Sequence, residues 1–292
     1  FRLKVFQSVA KNLSFTKASQ ELFVSQPAIT KHIQELEATY QTRLFDRQGS
    51  KISLTESGRL LLEHCERILE DYKRLEYEMH LLHNEYIGEL KLGASTTIAQ
   101  YVLPPLLGSF IGKFPQVNLS LLNGNSREIE AALQEHRIDL GLVEGVFRLP
   151  NLKYTTFLED ELVAVVHSKS RLQLPEEITP QDLPAIPLVL RERGSGTLDV
   201  IERSLQKHGV KLSSLHVLMY LGSTESIKLF LENSDCMGIV SIRSICKELA
   251  AGTFRVVEIK DMPMLRDFCF VQLQGQEGGL SQAFMNYMFM SR

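Results

Sequence analysis

The 292-residue chain has no uninterrupted apolar run that could span a bilayer: its longest apolar stretch, Tyr101 to Ile111, is broken by Pro104 and Pro105. A spanning helix needs about 20 apolar residues. No charged-then-apolar segment opens the chain, so the expectation is a cytoplasmic protein with no membrane partner. Cysteine is scarce. Cys65, Cys236, Cys246 and Cys269 form no C-x-x-C pair and have no histidine cluster beside them, which argues against a zinc site or a disulfide framework and for reduced thiols. Signatures of catalysis are missing too: there is no G-x-x-x-x-G-K-[ST], no H-E-x-x-H and no G-x-S-x-G, and the eight histidines are scattered. No enzyme, cofactor or metal is therefore expected. Internal repeats and low-complexity segments are also absent.

What is present is an ordinary globular composition, 44% hydrophobic and 23% charged, enough for a sizeable core and, at about 150 residues per domain, about two domains. The net charge of −3 hides an asymmetry. Residues 1–55 carry eight Lys/Arg against four acids, a net +4, whereas the other 237 residues carry 24 bases against 31 acids, a net −7. A basic head on an acidic body points to a polyanionic partner for the head.

Three short helical patterns fill residues 1–40. Leu3, Phe6 and Val9 share one face of the first; Ser14 is placed to cap the second, which buries Ala18 and Leu22. Phe23-Val24-Ser25 connects to the third, with Ser25 as cap and Pro27 in the first turn, where a missing N–H costs little. Ile29, Ile33, Leu36 and Tyr40 are spaced to share a buried face. The opposite face carries Pro27, Lys31 and Gln34, with Thr30 at its edge. Small and polar near its N-terminus, it suits entry into a DNA major groove. Lys31 can reach a phosphate or guanine edge, Gln26 and Gln34 can pair with adenine, and Pro27 and Ala28 can meet a thymine methyl. Residues 43–55 then read as two short strands about the turn Gln48-Gly49-Ser50, a wing whose Arg43, Arg47 and Lys51 would hold phosphates or the minor groove.

The pattern Ala18-Ser19, Leu22, Ser25-Gln26-Pro27-Ala28-Ile29-Thr30, Ile33, Leu36-Glu37, Leu44-Phe45, Arg47, Leu54-Thr55 and Gly58 resembles the N-terminal signature of LysR-type transcriptional regulators. The resemblance implies a winged helix-turn-helix that binds double-stranded promoter DNA through Thr16, Lys17, Ser25, Gln26, Pro27, Ala28, Thr30, Lys31, Gln34, Arg43, Arg47 and Lys51, joined to an effector-binding body. It also implies a contact with RNA polymerase. Two positions depart from the family pattern. Ser19 stands where a second Ala is usual, and Gln41 stands where Gly is usual; a left-handed Gln41 carries about 1 kcal/mol of strain.

From Thr55 the chain reads as one long helix to about Tyr86, with Thr55 as cap. Leu61, Cys65, Ile68, Tyr72, Leu75, Met79 and Leu82 repeat at four and three, a coiled-coil seam that calls for a second copy. The family resemblance agrees: linker helices pair antiparallel, giving a homodimer or homotetramer.

After Gly88, strand and helix patterns alternate, which argues for an α/β body with a mostly parallel sheet. Strand-like runs are 89–94, 117–122, 138–143, 162–167, 188–190, 216–221, 237–241, 254–259 and 266–273; helical runs include 129–136, 198–208, 226–231 and 242–251. Gly93-Ala94-Ser95-Thr96-Thr97, Tyr101-Val102-Leu103-Pro104, Phe114-Pro115 and Ile138 to Glu144 resemble the LysR-type effector domain, a two-lobed fold of the type 2 periplasmic-binding-protein kind. The expected organisation is a DNA-binding domain over 1–55, a linker helix over 56–87 and an effector domain over 88–292, its first lobe formed by 88–161 with 266–292 and its second by 162–265.

Small hydroxyl or amide residues at strand ends, Ser95-Thr96-Thr97, Asn125-Ser126, Ser195 with Thr197, and Ser223-Thr224, are ordinary helix caps taken singly. Together they suit a cleft that binds an anionic effector through backbone N–H groups and hydroxyls, with Arg191 adding charge. By resemblance to the sulfur-assimilation and carbon-fixation branches, Ser95 and Thr97 are the leading ligand candidates. Ile98 replaces the Gln of the sulfate-responsive branch, so sulfate is not carried over. Glu144 favours a ligand with an amine or hydroxyls, or is a solvated turn residue. A purely architectural DNA binder would need no such two-lobed body.

Overall fold

The computed structural model describes residues 1–48, 51–81, 86–145, 148–275 and 278–291, and the chain divides into two compact units, Phe1–Glu85 and Tyr86–Arg292. In the first unit, α1 (Arg2–Asn12), α2 (Phe15–Glu21) and α3 (Gln26–Tyr40) pack on one another. Ser14 caps α2 by accepting the Lys17 N–H at 3.2 Å, and Ser25 caps α3 by accepting that of Ala28 at 3.4 Å. Val5, Phe6, Val9, Ala18, Ile29, Ile33, Leu36 and Phe45 form the core. The Phe45 ring sits 5.5 Å from Phe6 and 5.9 Å from Phe15, so the wing strand is tied into it. Tyr40 does not join that face; it is 53% exposed, because α3 ends there and Gln41 turns left-handed at φ 51°.

The wing is the antiparallel pair β1 (Phe45–Gln48) and β2 (Lys51–Leu54), with Phe45 opposite Leu54 and Arg47 opposite Ile52. Gly49 and Ser50 of the expected turn lie outside the described residues. Helix α4 (Glu56–Leu81) follows, roughly 40 Å long at 1.5 Å per residue. Thr55 starts it by accepting the Gly58 N–H at 2.9 Å while donating to the Arg43 carbonyl at 2.7 Å. Gly58 must be glycine, since a Cβ there would lie 2.1 Å from the Leu44 carbonyl oxygen. The expected extension of this helix over 82–85 lies outside the described residues.

The second unit is built on a ten-stranded sheet flanked by helices. Its strands are β3 (Gly88–Ser95), β4 (Val117–Gly124), β5 (Leu140–Glu144), β6 (Leu152–His167), β7 (Glu177–Ile178), β8 (Leu188–Arg191), β9 (Val217–Leu221), β10 (Met237–Ser241), β11 (Phe254–Ile259) and β12 (Met264–Leu273). The main order is β4-β3-β5-β12-β6-β10-β8-β9, with β11 branching from β6 and β7 pairing with β11. The sheet is mixed rather than mostly parallel. Its flanks, β4-β3-β5 and β10-β8-β9, pair parallel, but β6 and β12 run antiparallel to each other through the middle, from Leu152 opposite Leu273 to Leu162 opposite Met264. The sequence hid the first ten residues of β6 because Lys153, Glu159, Asp160 and Glu161 interrupt its apolar pattern.

The helices are α5 (Leu103–Lys113), α6 (Ser126–Gln134), α7 (Gly196–Lys207), α8 (Thr224–Glu232), α9 (Cys246–Ala250) and α10 (Gly279–Met290). Pro104 and Pro105, which break the apolar run, serve as the opening residues of α5. The single helix expected over 242–251 is a 3₁₀ turn, Ile242–Ser244, followed by the short α9, with Ile245 at φ −123° between them. One core gathers around Leu188, Leu190, Ile201, Leu205 and Ile239; another, around Ile129, Leu133, Val143 and Val271, fills the other flank. Among the described residues no helix is long and apolar enough to cross a membrane.

Candidate functional site

Three of the four acids in residues 1–55 are held by internal bonds. Glu21 accepts from Ser8 and Asn12 at 2.7 and 2.6 Å, Glu35 pairs with Arg2 at 2.9 Å, and Glu37 accepts the Leu44 N–H at 2.8 Å. Lys17, Lys31 and Arg43 are exposed and have no carboxylate partner among the described residues. The exposed side of α2 and α3 therefore presents Lys17 and Lys31 as cations without an ion-pair partner among the described residues. Thr16, Ser25, Gln26, Pro27 and Gln34 are exposed beside these cations, and Ala28 and Thr30 are half-buried. Thr16 donates to the Gln26 side-chain oxygen at 3.2 Å, which orients that amide with its N–H groups free to donate. The strand positions of Arg47 and Lys51 are described, but their side chains lie outside the described residues.

The expected seam on α4 divides in two. Cys65 is fully buried in the head core, its thiol 3.2 Å from the Leu3 carbonyl, and Leu61 packs on the same core. Burial pushes the Cys65 pKa up to about 11, with Glu66 adding to the rise. Cys65 is thus part of the head and not of a free seam. Farther along, Ile68, Tyr72, Leu75 and Met79 are each about half exposed, and Lys4 stands 5.8 Å from the Tyr72 ring centroid. Leu82 lies outside the described residues.

In the second unit, the end of β3 enters a π-helical segment, Ile98–Val102, a geometry frequent at functional sites. Three expected caps hold: Asn125 forms a capping box with Glu128 (3.0 and 2.8 Å), Ser195 accepts from Leu198 at 3.1 Å, and Ser223 caps α8 ahead of the buried Thr224. The structure brings Ser95, Thr97, Thr197 and Glu144 together, but around each other. Ser95 and Thr97 donate to the Glu144 carboxylate, Thr97 at 3.2 Å, and Thr197 approaches it at 3.5 Å. Arg266 lies 3.3 Å from the same carboxylate, donates to Thr197 at 2.9 Å and binds Asp160 at 2.8 Å. Glu144 is 4% exposed, so it is not a solvated turn residue; it anchors a buried ionic network. Gly196 is required beside it, because a Cβ there would fall 2.0 Å from the Glu144 carbonyl oxygen.

Next to this network lies a cavity of about 290 Å³, lined by Thr96, Gln100, Asn123, Asn125, Glu128, Glu192, Gly222 and Ser223 among others. Of the expected ligand residues only Thr96 and Asn125 line it. Arg191 stands behind it, 1% exposed. Its Nη2 donates to Thr96 at 3.4 Å and to the Gly222 carbonyl at 3.3 Å; Glu192 takes Nε at 2.8 Å and Nη2 at 3.0 Å; Nη1 has no partner among the described residues. Next in sequence to Gln100, Tyr101 donates to Glu225, which Lys228 also holds at 2.9 Å. Burial opposes ionisation of Glu225, yet the bonds from Tyr101 and Lys228 outweigh it and hold the carboxyl below its ordinary value. Burial and the bond to Glu225 push the Tyr101 phenol up. Sequence reasoning missed Arg266, Asp160, Glu192, Gln100 and Asn123. The available signal was Arg266 and Asp160 within otherwise apolar strands, since a charge in a buried strand calls for a partner. Among the described residues no cluster fit for a metal ion occurs.

Comparison with known proteins places these features. Residues 2–59 match the bacterial regulatory helix-turn-helix protein, lysR family, and residues 83–289 match the LysR substrate binding domain. The chain belongs to the LysR family of DNA-binding transcriptional regulators, with an effector-binding domain, and is not an enzyme. The RuBisCO operon transcriptional regulator of Acidithiobacillus ferrooxidans is 30% identical over 289 residues, covering 99% of this chain and 92% of that protein. The HTH-type transcriptional regulator CysL of Bacillus subtilis is 29% identical over 269 residues, covering 92% and 89%. These relatives support placement near the sulfur and carbon-fixation regulators. The regulatory domain of Synechocystis CcmR, solved in complex with 2-PG, is 28% identical with a TM-score of 0.63, covering 70% of this chain and 97% of that one. Full-length CbnR complexed with target DNA shares the fold at a TM-score of 0.62 and 23% identity, covering 100% and 99%.

Proposed function

We propose that this regulator reads a promoter through α3 and the wing as a homodimer or a pair of dimers, and that a small anionic metabolite bound in the effector domain changes its contact with DNA or RNA polymerase. The cytoplasm is the compartment where such a protein works. The observation that carries the effector reading is Arg191: a buried guanidinium with one nitrogen partnerless among the described residues, bonded to three residues that line the cavity. A buried cation with an unmet donor is costly unless something completes it. That a relative's regulatory domain binds 2-PG supports the same domain as the sensing element. Effector control requires that the ligand bind one arrangement of the protein better than another.

The DNA reading rests on the unpaired cations of α2 and α3. Fluorescence anisotropy of the full chain, at one fixed salt concentration, tests it with the DNA upstream of its own gene against a shuffled duplex. Tighter binding to the native duplex is expected. Lys31→Ala is expected to weaken that specific binding about tenfold with the thermal midpoint unchanged. Unaltered affinity in the variant would remove α3 from the interface.

A further inference from the structure

Resting on that reading of the cavity, we infer that its ligand is a small organic acid bearing one anionic group together with hydroxyl or ammonium donors, and that Glu192 sets this selectivity. Three observations carry the inference. First, the hydroxyls best placed for an inorganic anion are already spent. A hydroxyl has one proton to give, and those of Ser95, Thr97 and Thr197 face the Glu144 carboxylate, while Arg266 is held between Glu144 and Asp160. Second, Arg191 has only one nitrogen left. Glu192 occupies Nε and Nη2, and among the described residues Nη1 alone is without a partner, so the guanidinium has no bidentate fork left for an oxyanion. Third, Glu128 and Glu192 both line the cavity, so with Arg191 the local charge is net negative. A dianion is repelled there, whereas ligand O–H or N–H groups find carboxylate acceptors. The amides of Gln100, Asn123 and Asn125 supply the remaining donors. The Asn125 amide oxygen is held by the Glu128 N–H, which leaves its NH₂ to donate.

The test is calorimetric titration of the full-length chain with glycolate, D-glycerate and L-serine on one side and sulfate, phosphate and acetate on the other. At least one donor-bearing acid is expected to bind about tenfold or more tighter than any of the other three. Glu192→Gln is expected to narrow or invert that ratio by about tenfold, because it removes the repelling charge and frees Arg191. Glu128→Gln keeps the capping box, so it folds; it is expected to move the ratio the same way by a smaller factor. Sulfate or phosphate binding as tightly as the donor-bearing acids, or a ratio unmoved in both variants, overturns the inference while leaving a cavity that binds anions. Gln100→Leu, which removes one of the amides lining the cavity, supplies the separating control. If binding persists unchanged in that variant, or if no probe binds the wild-type chain, the cavity itself is not the effector site and both readings fall.

Discussion

At single positions, the departures from the family pattern have opposite physical outcomes. Ser19 is absorbed without strain: half-buried, it donates to the Thr16 carbonyl at 2.8 Å within its own helix. Gln41 is not. It closes α3 at φ 51° and ψ 35°, while the Thr42 N–H reaches back to the Glu37 carbonyl at 3.1 Å, the signature of a Schellman ending. Holding a side chain there costs about 1 kcal/mol, of which glycine's greater unfolded entropy returns part. Gln41→Gly is therefore expected to raise stability by roughly 0.5 kcal/mol, read as a higher urea midpoint at unchanged slope. A lowered midpoint would mean that the exposed Gln41 side chain contributes more than its backbone costs.

Among whole elements, α4 shows what periodicity can and cannot reveal. The four-three spacing was legible, and so was the cap at Thr55. The spacing did not disclose that this face divides along its length. Leu61 and Cys65 close the head core, and the distal Ile68, Tyr72, Leu75 and Met79 are left about half exposed. Leu75 is 53% exposed and Ile68 52%, an arrangement that a lone helix in water does not favour. Leu75→Glu is expected to drive the protein towards monomer in sedimentation at micromolar concentration, with the melting of the head unaffected. Cys65→Ser should do the reverse, leaving the association and loosening the head, because it puts a hydroxyl into an apolar core. Retained association in the Leu75 variant would move the dimer interface elsewhere. The mixed sheet was illegible for a related reason. Strand direction is a property of pairing, and the long β6–β12 ladder depends on Asp160 and Arg266 meeting across it, which no local window contains.

At the scale of the whole effector domain, the cap residues at strand ends were readable, while the assignment of their hydroxyls to Glu144 was not. Hydroxyl partners are decided by residues about fifty positions away, as in Ser95 with Glu144. The same long-range logic sets a pH response. Tyr101 follows β3, and Glu225 opens α8, more than a hundred residues later; their bond ties separate parts of the domain. Lys228 joins Glu225 to Glu248, at 2.9 and 2.5 Å, and reaches the Ser244 carbonyl at 3.0 Å. Burial alone would lower the Lys228 pKa, but Glu248 and Glu225 outweigh it and raise it. A depressed carboxyl contributes stability that is present above its unfolded value, near 4.5, and is lost as pH falls through its lower folded value. A raised ammonium contributes stability that is complete below its unfolded value, near 10.5, and is lost as pH rises through its folded one. The cluster is thus at full strength between these limits. Urea midpoints taken from pH 7 down to pH 3 are expected to fall further in the wild-type chain than in Glu225→Gln, since the variant has no carboxylate there to protonate. Because every other carboxyl is common to both proteins, parallel curves would show that Glu225 gains nothing from ionisation in the folded state and that the tie to Tyr101 is not electrostatic.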